Sequence, residues 1–183
     1  MRPIWMIPVL FGAVLSAAYT DLASCQQKFD LIASERLRPG ARVDLSAREL
    51  NAYVLAEAPP GVRDPKVAVT SPEVATGSAM IDFGKLRRAQ GYRPGWLMSK
   101  LLDGERPVSV TARIRSDAGR ATVDVEKVEI SGVTIDGRTL DFLIQNFLLA
   151  LYPDAAVGRP FELGHKIRKL DVEPRAVSVY IGQ

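Results

Sequence analysis

A strict alternation of apolar and polar residues in the middle of the chain constrains the fold more than any other feature. Across residues 108–115, valine, alanine and isoleucine occupy every second position, and polar residues fill the positions between them. This period of two predicts a strand with one buried face. Residues 116–119 (Ser-Asp-Ala-Gly) indicate a hairpin turn, and the alternation resumes at residues 121–125. The sequence therefore predicts an antiparallel hairpin.

The returning strand of this hairpin then changes phase. Its apolar residues stand at Val123 and Val125, and the next ones stand at Val128 and Ile130. One extra residue separates the two pairs, as in a β-bulge, which bends a sheet. We therefore expect the sheet to be curved.

Helical spacing and further strands flank the hairpin. Residues 21–37 predict a helix that Pro39-Gly40 ends, and residues 41–45 predict a short strand. Ser46 and Glu49 have the spacing of a capping box, in which each side chain accepts a backbone N–H of the other. A second helix therefore starts there, and residues 172–181 predict a closing hairpin through Pro174.

Residues 139–152 predict a helix with a very wide apolar face. Its few polar residues follow one narrow line, at Arg138, Asp141, Gln145 and Tyr152. Packing on one sheet face needs an apolar stripe of about 100° or somewhat more. The excess apolar surface indicates that the helix lines a ligand cavity or contacts lipid. The alternative is a helix enclosed by a strongly curved sheet, with no ligand. The predicted class is α+β: a single curved antiparallel β-sheet wrapped around a long apolar C-terminal helix, with additional N-terminal helices.

The N-terminus has the pattern of an export signal. Arg2 precedes an uncharged apolar run at residues 4–15, and the small residues 16–18 (Ser-Ala-Ala) suit signal peptidase. We therefore predict a signal peptide or membrane anchor at 1–18, a helix or linker at 19–40 and one α+β domain at 41–183. The run is short for a membrane span of about 20 residues. The domain is expected in the periplasm or at the extracytoplasmic face of a membrane, either free or anchored to it.

Cys25 leaves two interpretations open. Residues 22–25 (Leu-Ala-Ser-Cys) have the residue types of a lipobox, whose cysteine becomes acylated, although Thr20 and Asp21 separate them from the apolar run. The alternative is a small apolar residue on a helix. Leu22, Cys25, Phe29 and Ile32 share helical spacing, which favours this alternative.

Residue types that carry common chemistry are scarce. The chain has one cysteine and one histidine, His165, so a zinc site of the usual composition is excluded. Nucleophile elbows, H-E-x-x-H and phosphate-binding glycine loops are absent. The net charge of +3 is too small to suggest binding to nucleic acid. We therefore predict no catalytic residue, metal or cofactor and no enzymatic activity, although a hydrolase with two carboxylates stays an alternative.

Residues 85–102 form a connection with basic side chains and no acidic ones. Aromatic and apolar residues are interleaved with the basic ones, a combination that suits the headgroup zone of an anionic bilayer. A solvated loop is the alternative. The predicted membrane-surface contacts are Lys85, Arg87, Arg88, Arg93, Trp96 and Lys100.

Three segments in order resemble a known family. They are residues 43–52, residues 128–133 with 140–143, and residues 161–179, the last of which contains the closing hairpin. These segments resemble bacterial envelope proteins of the LmeA-like and YpmS-like kind, which are related to tubular lipid-binding (TULIP-like) domains. The resemblance implies a curved sheet around a helix that holds phospholipid acyl chains, without catalysis.

These observations predict a protein that binds or transfers phospholipid or another apolar ligand in the cell envelope. The expected partners are that ligand and an anionic membrane surface. An envelope scaffold with a dry core, which binds another protein, is the alternative. The predicted ligand-lining residues are Met80, Leu97, Leu101, Phe142, Leu143, Phe147, Leu148 and Leu151.

Overall fold

A computed structural model describes residues 9–85, 104–149 and 156–183, and all their side chains except those of residues 9–18, 146 and 147. The helices are α1 (Val9–Ala33), α2 (Ala47–Ala56) and α3 (Gly137–Leu143), which continues into a π-helical turn at Ile144–Leu148. The strands are β1 (Arg42–Ser46), β2 (Val62–Ser71), β3 (Val74–Asp82), β4 (Glu105–Asp117), β5 (Arg120–Ile130), β6 (Val133–Ile135), β7 (Phe161–Glu162), β8 (Ile167–Glu173) and β9 (Ala176–Ile181).

The strands form two antiparallel sheets. The smaller sheet has the order β1-β9-β8, so the first strand of the chain pairs with the last. The larger sheet has the order β2-β3-β4-β5-β6, and β7 pairs with β5. The prediction of a single sheet was therefore wrong. Alternation identifies a strand, but it does not say which of several strands will accept its hydrogen bonds.

The predicted long apolar C-terminal helix was also wrong. Within the described residues of that segment, α3 is short, and the helix then widens into the π turn. A π turn inserts an extra residue into the helical repeat and so rotates the side chains that follow it. The wide apolar face predicted for one regular helix is therefore interrupted within the described residues, and α3 lies on the inner side of the larger sheet.

The predicted bulge in β5 is confirmed. Thr111 pairs with Lys127 and Ala112 pairs with Val125, so Glu126 has no opposite residue on β4. Because this one residue is skipped, Val125 and Val128 project from the same face of the larger sheet. We call this the inner face, and α3 covers it through a cluster of buried residues that includes Phe83, Ile130 and Leu143.

The α1 helix begins before the predicted helix and ends at Ala33. Its second half packs on the smaller sheet, where Cys25 and Ile32 meet Val43, Leu45 and Val179 in a buried cluster. Among the helices that the structure describes, none is long and apolar enough to cross a membrane.

The capping box at the start of α2 is confirmed, and its glutamate has a further role. The carboxylate of Glu49 accepts hydrogen bonds from Ser24 Oγ and Lys28 Nζ of α1, both at 2.6 Å. The backbone N–H of Ser46 donates to the same carboxylate at 2.7 Å. One buried glutamate therefore fixes α1 against α2.

The smaller sheet is attached to the hairpin turns of the larger one through the outer edge of β8. Gly119 N–H donates to Arg168 O at 2.8 Å, and Glu73 N–H donates to Val172 O at 2.9 Å. Between them, the hydroxyl of Ser116 donates to Leu170 O at 2.8 Å and accepts from Leu170 N–H at 2.7 Å. These bonds hold one end of the larger sheet, and the opposite end lies beside the end of α2.

Candidate functional site

A cavity of about 590 Å³ lies at that opposite end, between the inner face, α3 and the end of α2. The strands contribute Val62, Ile81, Val108, Val110 and Ile130, among others, to its wall. Leu140 and Leu143 of α3 form the wall that faces the sheet, and Tyr53 and Pro59 close the side near α2. The lining is almost entirely apolar, with Glu57 as its one carboxylate among the described lining residues.

β3 carries small residues on the inner face beside the cavity. Gly77 pairs with Val110 and Ala79 pairs with Val108, so two of the inner-face positions of β3 carry little or no side chain. A Cβ added at Gly77 would have Lys66 O, at 4.0 Å, as its nearest neighbour. Ordinary cores are packed to the density of organic crystals, with few voids larger than a water molecule. A cavity of this volume therefore departs from the close packing of an ordinary core.

The predicted lining residues are only partly brought together. Leu143 and Leu148 line the cavity, and Phe142 packs against the adjoining core cluster. Met80 projects from the other face of the sheet, where it borders a separate groove with Pro107. Leu97, Leu101 and Leu151 lie outside the described residues, as does the side chain of Phe147.

Of the predicted membrane-surface residues, the structure describes Lys85. Its side chain is exposed, and its Nζ lies 3.5 Å from Asp82 Oδ2. Arg87, Arg88, Arg93, Trp96 and Lys100 lie outside the described residues. The chain leaves the sheet after Asp82 and returns at Glu105, and these two residues pair with each other at the cavity end of the sheet.

Several cavity residues were missed by sequence reasoning. Tyr53 and Pro59 carry no sequence pattern that indicates a ligand site, and Val108 and Val110 belong to the alternating strand that predicts one buried face. Their alternation predicted burial, but a buried face looks the same in sequence whether a side chain or a ligand covers it. The small residues of β3 that pair with these valines were the available signal, because small side chains fill little of the space above a sheet face.

Arg106 was also missed. It occupies the inner-face position of β4 next to Val108, and it pairs with Ile81, which lines the cavity. Its Nε is buried and has no hydrogen-bond partner in the described part of the chain. The buried N–H groups of arginine side chains almost always have a hydrogen-bond acceptor, so an unpaired buried N–H group calls for an explanation.

Cys25 and His165 lie away from this cavity. The Cys25 side chain has no exposed surface, and burial raises the pKa of its thiol, with a further rise from the nearby Glu49 carboxylate. A lipid attached to this sulfur would displace the buried side chains that pack between α1 and the smaller sheet.

His165 is exposed, and its Nδ1 lies 3.6 Å from Glu35 Oε1. No group of three potential ligands that could hold a metal occurs among the described residues.

Comparison with known proteins adds no relative to this picture. No family model, curated protein or solved structure matches the chain. The resemblance to LmeA-like and YpmS-like proteins therefore stays a prediction. The function has to be argued from the cavity and its residues.

Proposed function

We propose that this chain binds a lipid-like apolar ligand without catalysis, in an extracytoplasmic compartment. The cavity against the inner face of the larger sheet is the observation that carries the proposal. Its volume of about 590 Å³ lies within the range of about 300–1,000 Å³ that small-molecule sites occupy. The N-terminal export pattern supports the location.

The size and lining of the cavity favour a single hydrocarbon chain. At roughly 30 Å³ per molecule of liquid water, the volume corresponds to about 20 water-sized groups. A methylene group has about the same size as a water molecule, so one acyl chain of ordinary length fills the space. Water inside would find few hydrogen-bond partners on valine, isoleucine and leucine side chains. Replacing it by hydrocarbon is favourable because apolar surface leaves water.

The ligand content of the purified protein tests the proposal. The full chain is expressed in a bacterial host, and the exported protein is purified, extracted with organic solvent and analysed by mass spectrometry. We expect close to one acyl-chain lipid per protein, and uptake of a fluorescent fatty acid after the native ligand has been extracted. Protein without lipid that also takes up no fatty acid would contradict the proposal and would favour the scaffold alternative.

A cavity-filling variant localises the binding. In Val110→Trp the indole occupies the cavity, and we expect fatty-acid uptake to fall at least tenfold. Thr134→Trp is the matched control, because Thr134 is exposed on β6 and pairs with Glu129, so its side chain projects from the opposite face of the sheet. Where Val110→Trp does not fold, Val125→Phe is the second filling variant, since Val125 also lines the cavity. Unchanged uptake in a folded filling variant would contradict binding at this site.

A further inference from the structure

We propose that the ligand carries an anionic head group and that Arg106 binds it at the edge of the cavity. This inference rests on the proposed function and specifies the chemical class of the ligand. It joins three features of the described residues: the position of Arg106 in the sheet, the unpaired Nε of its side chain, and the apolar wall beside it.

The register of the strands places Arg106 next to residues that line the cavity. Val62 pairs with Ile81, and Ile81 pairs with Arg106, so the three residues form one row across the inner face. Val62 and Ile81 both line the cavity. Along β4, the inner-face positions run from Arg106 to Val108 and Val110, and the latter two also line it. The charged side chain of Arg106 therefore lies at the end of two lines of apolar lining residues, one across the strands and one along β4.

Arg106 forms no ion pair with the described residues, unlike several other arginines of the larger sheet. Three other arginines of the larger sheet form ion pairs, namely Arg63–Glu105, Arg113–Glu126 and Arg115–Asp124. Arg106 lies beyond the last β4–β5 pair, Val108–Ile130, because the chain turns at Ser131 and Gly132. No residue of β5 is therefore paired with Arg106. In the described part of the chain Arg106 has no ion pair, and its buried Nε has no acceptor.

An anionic group on the ligand supplies what Arg106 lacks. The Nε–H and one Nη–H of a guanidinium point in the same direction and bind two oxygens of a carboxylate or phosphate. An oxygen at the Nε–H would satisfy the buried donor. The hydrocarbon chain of the same molecule would then extend along Ile81 and Val108 into the cavity. An amphiphile with an acidic end fits both parts, whereas a neutral hydrocarbon leaves the buried donor unpaired.

The test compares two fluorescent probes that share one hydrocarbon chain and differ at the head group, which is anionic in one and a neutral ester in the other. They are cis-parinaric acid and its methyl ester, bound to protein from which native ligand has been extracted. A hydrogen bond to a charged group corresponds to about a tenfold or larger difference in affinity, so we expect the acid to bind about tenfold more tightly than the ester. In Arg106→Gln, we expect that preference to disappear while the affinity for the ester stays unchanged.

Arg63→Gln is the matched control, because Arg63 lies near the same end of the sheet, is exposed and already pairs with Glu105 at 3.0 Å. It should keep the preference for the acid, and Arg106→Lys should keep part of it. Equal affinity for both probes in the unmodified protein would overturn the head-group inference and leave lipid binding intact. Loss of both probes to the same extent in folded Arg106→Gln would overturn it as well. Binding of neither probe would contradict the proposed function itself.

Displacement by two further amphiphiles identifies the source of the anionic group. Palmitate carries a carboxylate, as a free fatty acid does, and hexadecyl phosphate carries the phosphate of a lysophospholipid type of head group. Tighter binding of either one than of hexadecanol supports the inference and assigns that source. Hexadecanol that competes as well as both anions would overturn it.

Discussion

The side-chain amide of Asn51 pairs with the backbone of Val67 as a neighbouring strand would. Its Nδ2 donates to Val67 O at 2.8 Å, and its Oδ1 accepts from Val67 N–H at 2.9 Å. Nδ2 also donates to Ala47 O at 2.7 Å. The amide therefore covers part of the free edge of β2 and fixes α2 against it. This contact sets the position of Tyr53, which closes one side of the cavity.

We expect Asn51→Ala to lower the free energy of unfolding by about 2–3 kcal/mol, because three hydrogen bonds are lost and the groups on Val67 lose their partner. Urea denaturation measures this change. Asn51→Asp should also destabilise the protein, since a carboxylate cannot donate to Val67 O. Gln26→Ala, on the exposed surface of α1, is the control and should change stability by less than about 0.5 kcal/mol. A change as small in Asn51→Ala would show that the amide does not hold α2 in place.

Glu49 makes the stability dependent on pH. Burial alone would raise the pKa of this carboxyl, but hydrogen bonds from Lys28, Ser24 and Ser46 together outweigh burial and lower the pKa to about 2. A carboxyl whose folded-state pKa lies below its unfolded value stabilises the fold above the unfolded pKa. That contribution, about 3 kcal/mol, is lost as the pH falls from about 5 to 2. Urea denaturation at several pH values measures it.

Glu49→Gln separates this carboxyl from the other acidic groups. The amide keeps the shape of the side chain but cannot accept as strongly from Lys28 Nζ, so the variant should be less stable at pH 7. Its stability should also fall less than that of the unmodified protein between pH 5 and pH 2. Equal slopes in the two proteins would mean that the network does not depend on the charge of Glu49.

Cys25 should remain an unmodified thiol in the folded protein. Its sulfur is fully buried, and burial raises its pKa, so the reactive thiolate is scarce. Cleavage directly before Cys25 would also remove Ser24, which donates to Glu49. We expect reaction with a thiol reagent at pH 8 to be at least tenfold slower in the native protein than in urea. Incorporation of labelled palmitate that Cys25→Ser abolishes would contradict this prediction and support a lipoprotein.

Arg106 should reduce stability in the absence of ligand. Because its buried Nε has no partner among the described residues, Arg106→Met should raise the free energy of unfolding of extracted protein by about 1 kcal/mol. Urea denaturation of both proteins after solvent extraction measures the difference. A stability gain together with weaker binding of the anionic probe is typical of a residue retained for binding. A variant that loses both stability and binding would instead indicate a structural role for Arg106.

Local sequence determined much of the secondary structure. The alternation around residues 116–119 gave the β4–β5 hairpin, and the phase change after Val125 gave its bulge, because a skipped residue shows directly in a period of two. Ser46 and Glu49 located the start of α2, since both partners of a capping box lie within one helical turn. These features depend on residues that are neighbours in the chain.

Tertiary structure alone decided the sheet partners and the site. The β1–β9 pairing joins segments more than 130 residues apart, such as Asp44 and Ser178, and no local pattern encodes that choice. It divides the strands into two sheets, which is why the predicted single sheet was wrong. The cavity arises where the end of α2, the short α3 and the inner face of the larger sheet meet. The Nε of Arg106 has no acceptor among the described residues, because its neighbours in the sheet offer none. Sequence identifies which faces are buried, but only the packing of distant elements determines whether a buried face is filled by side chains.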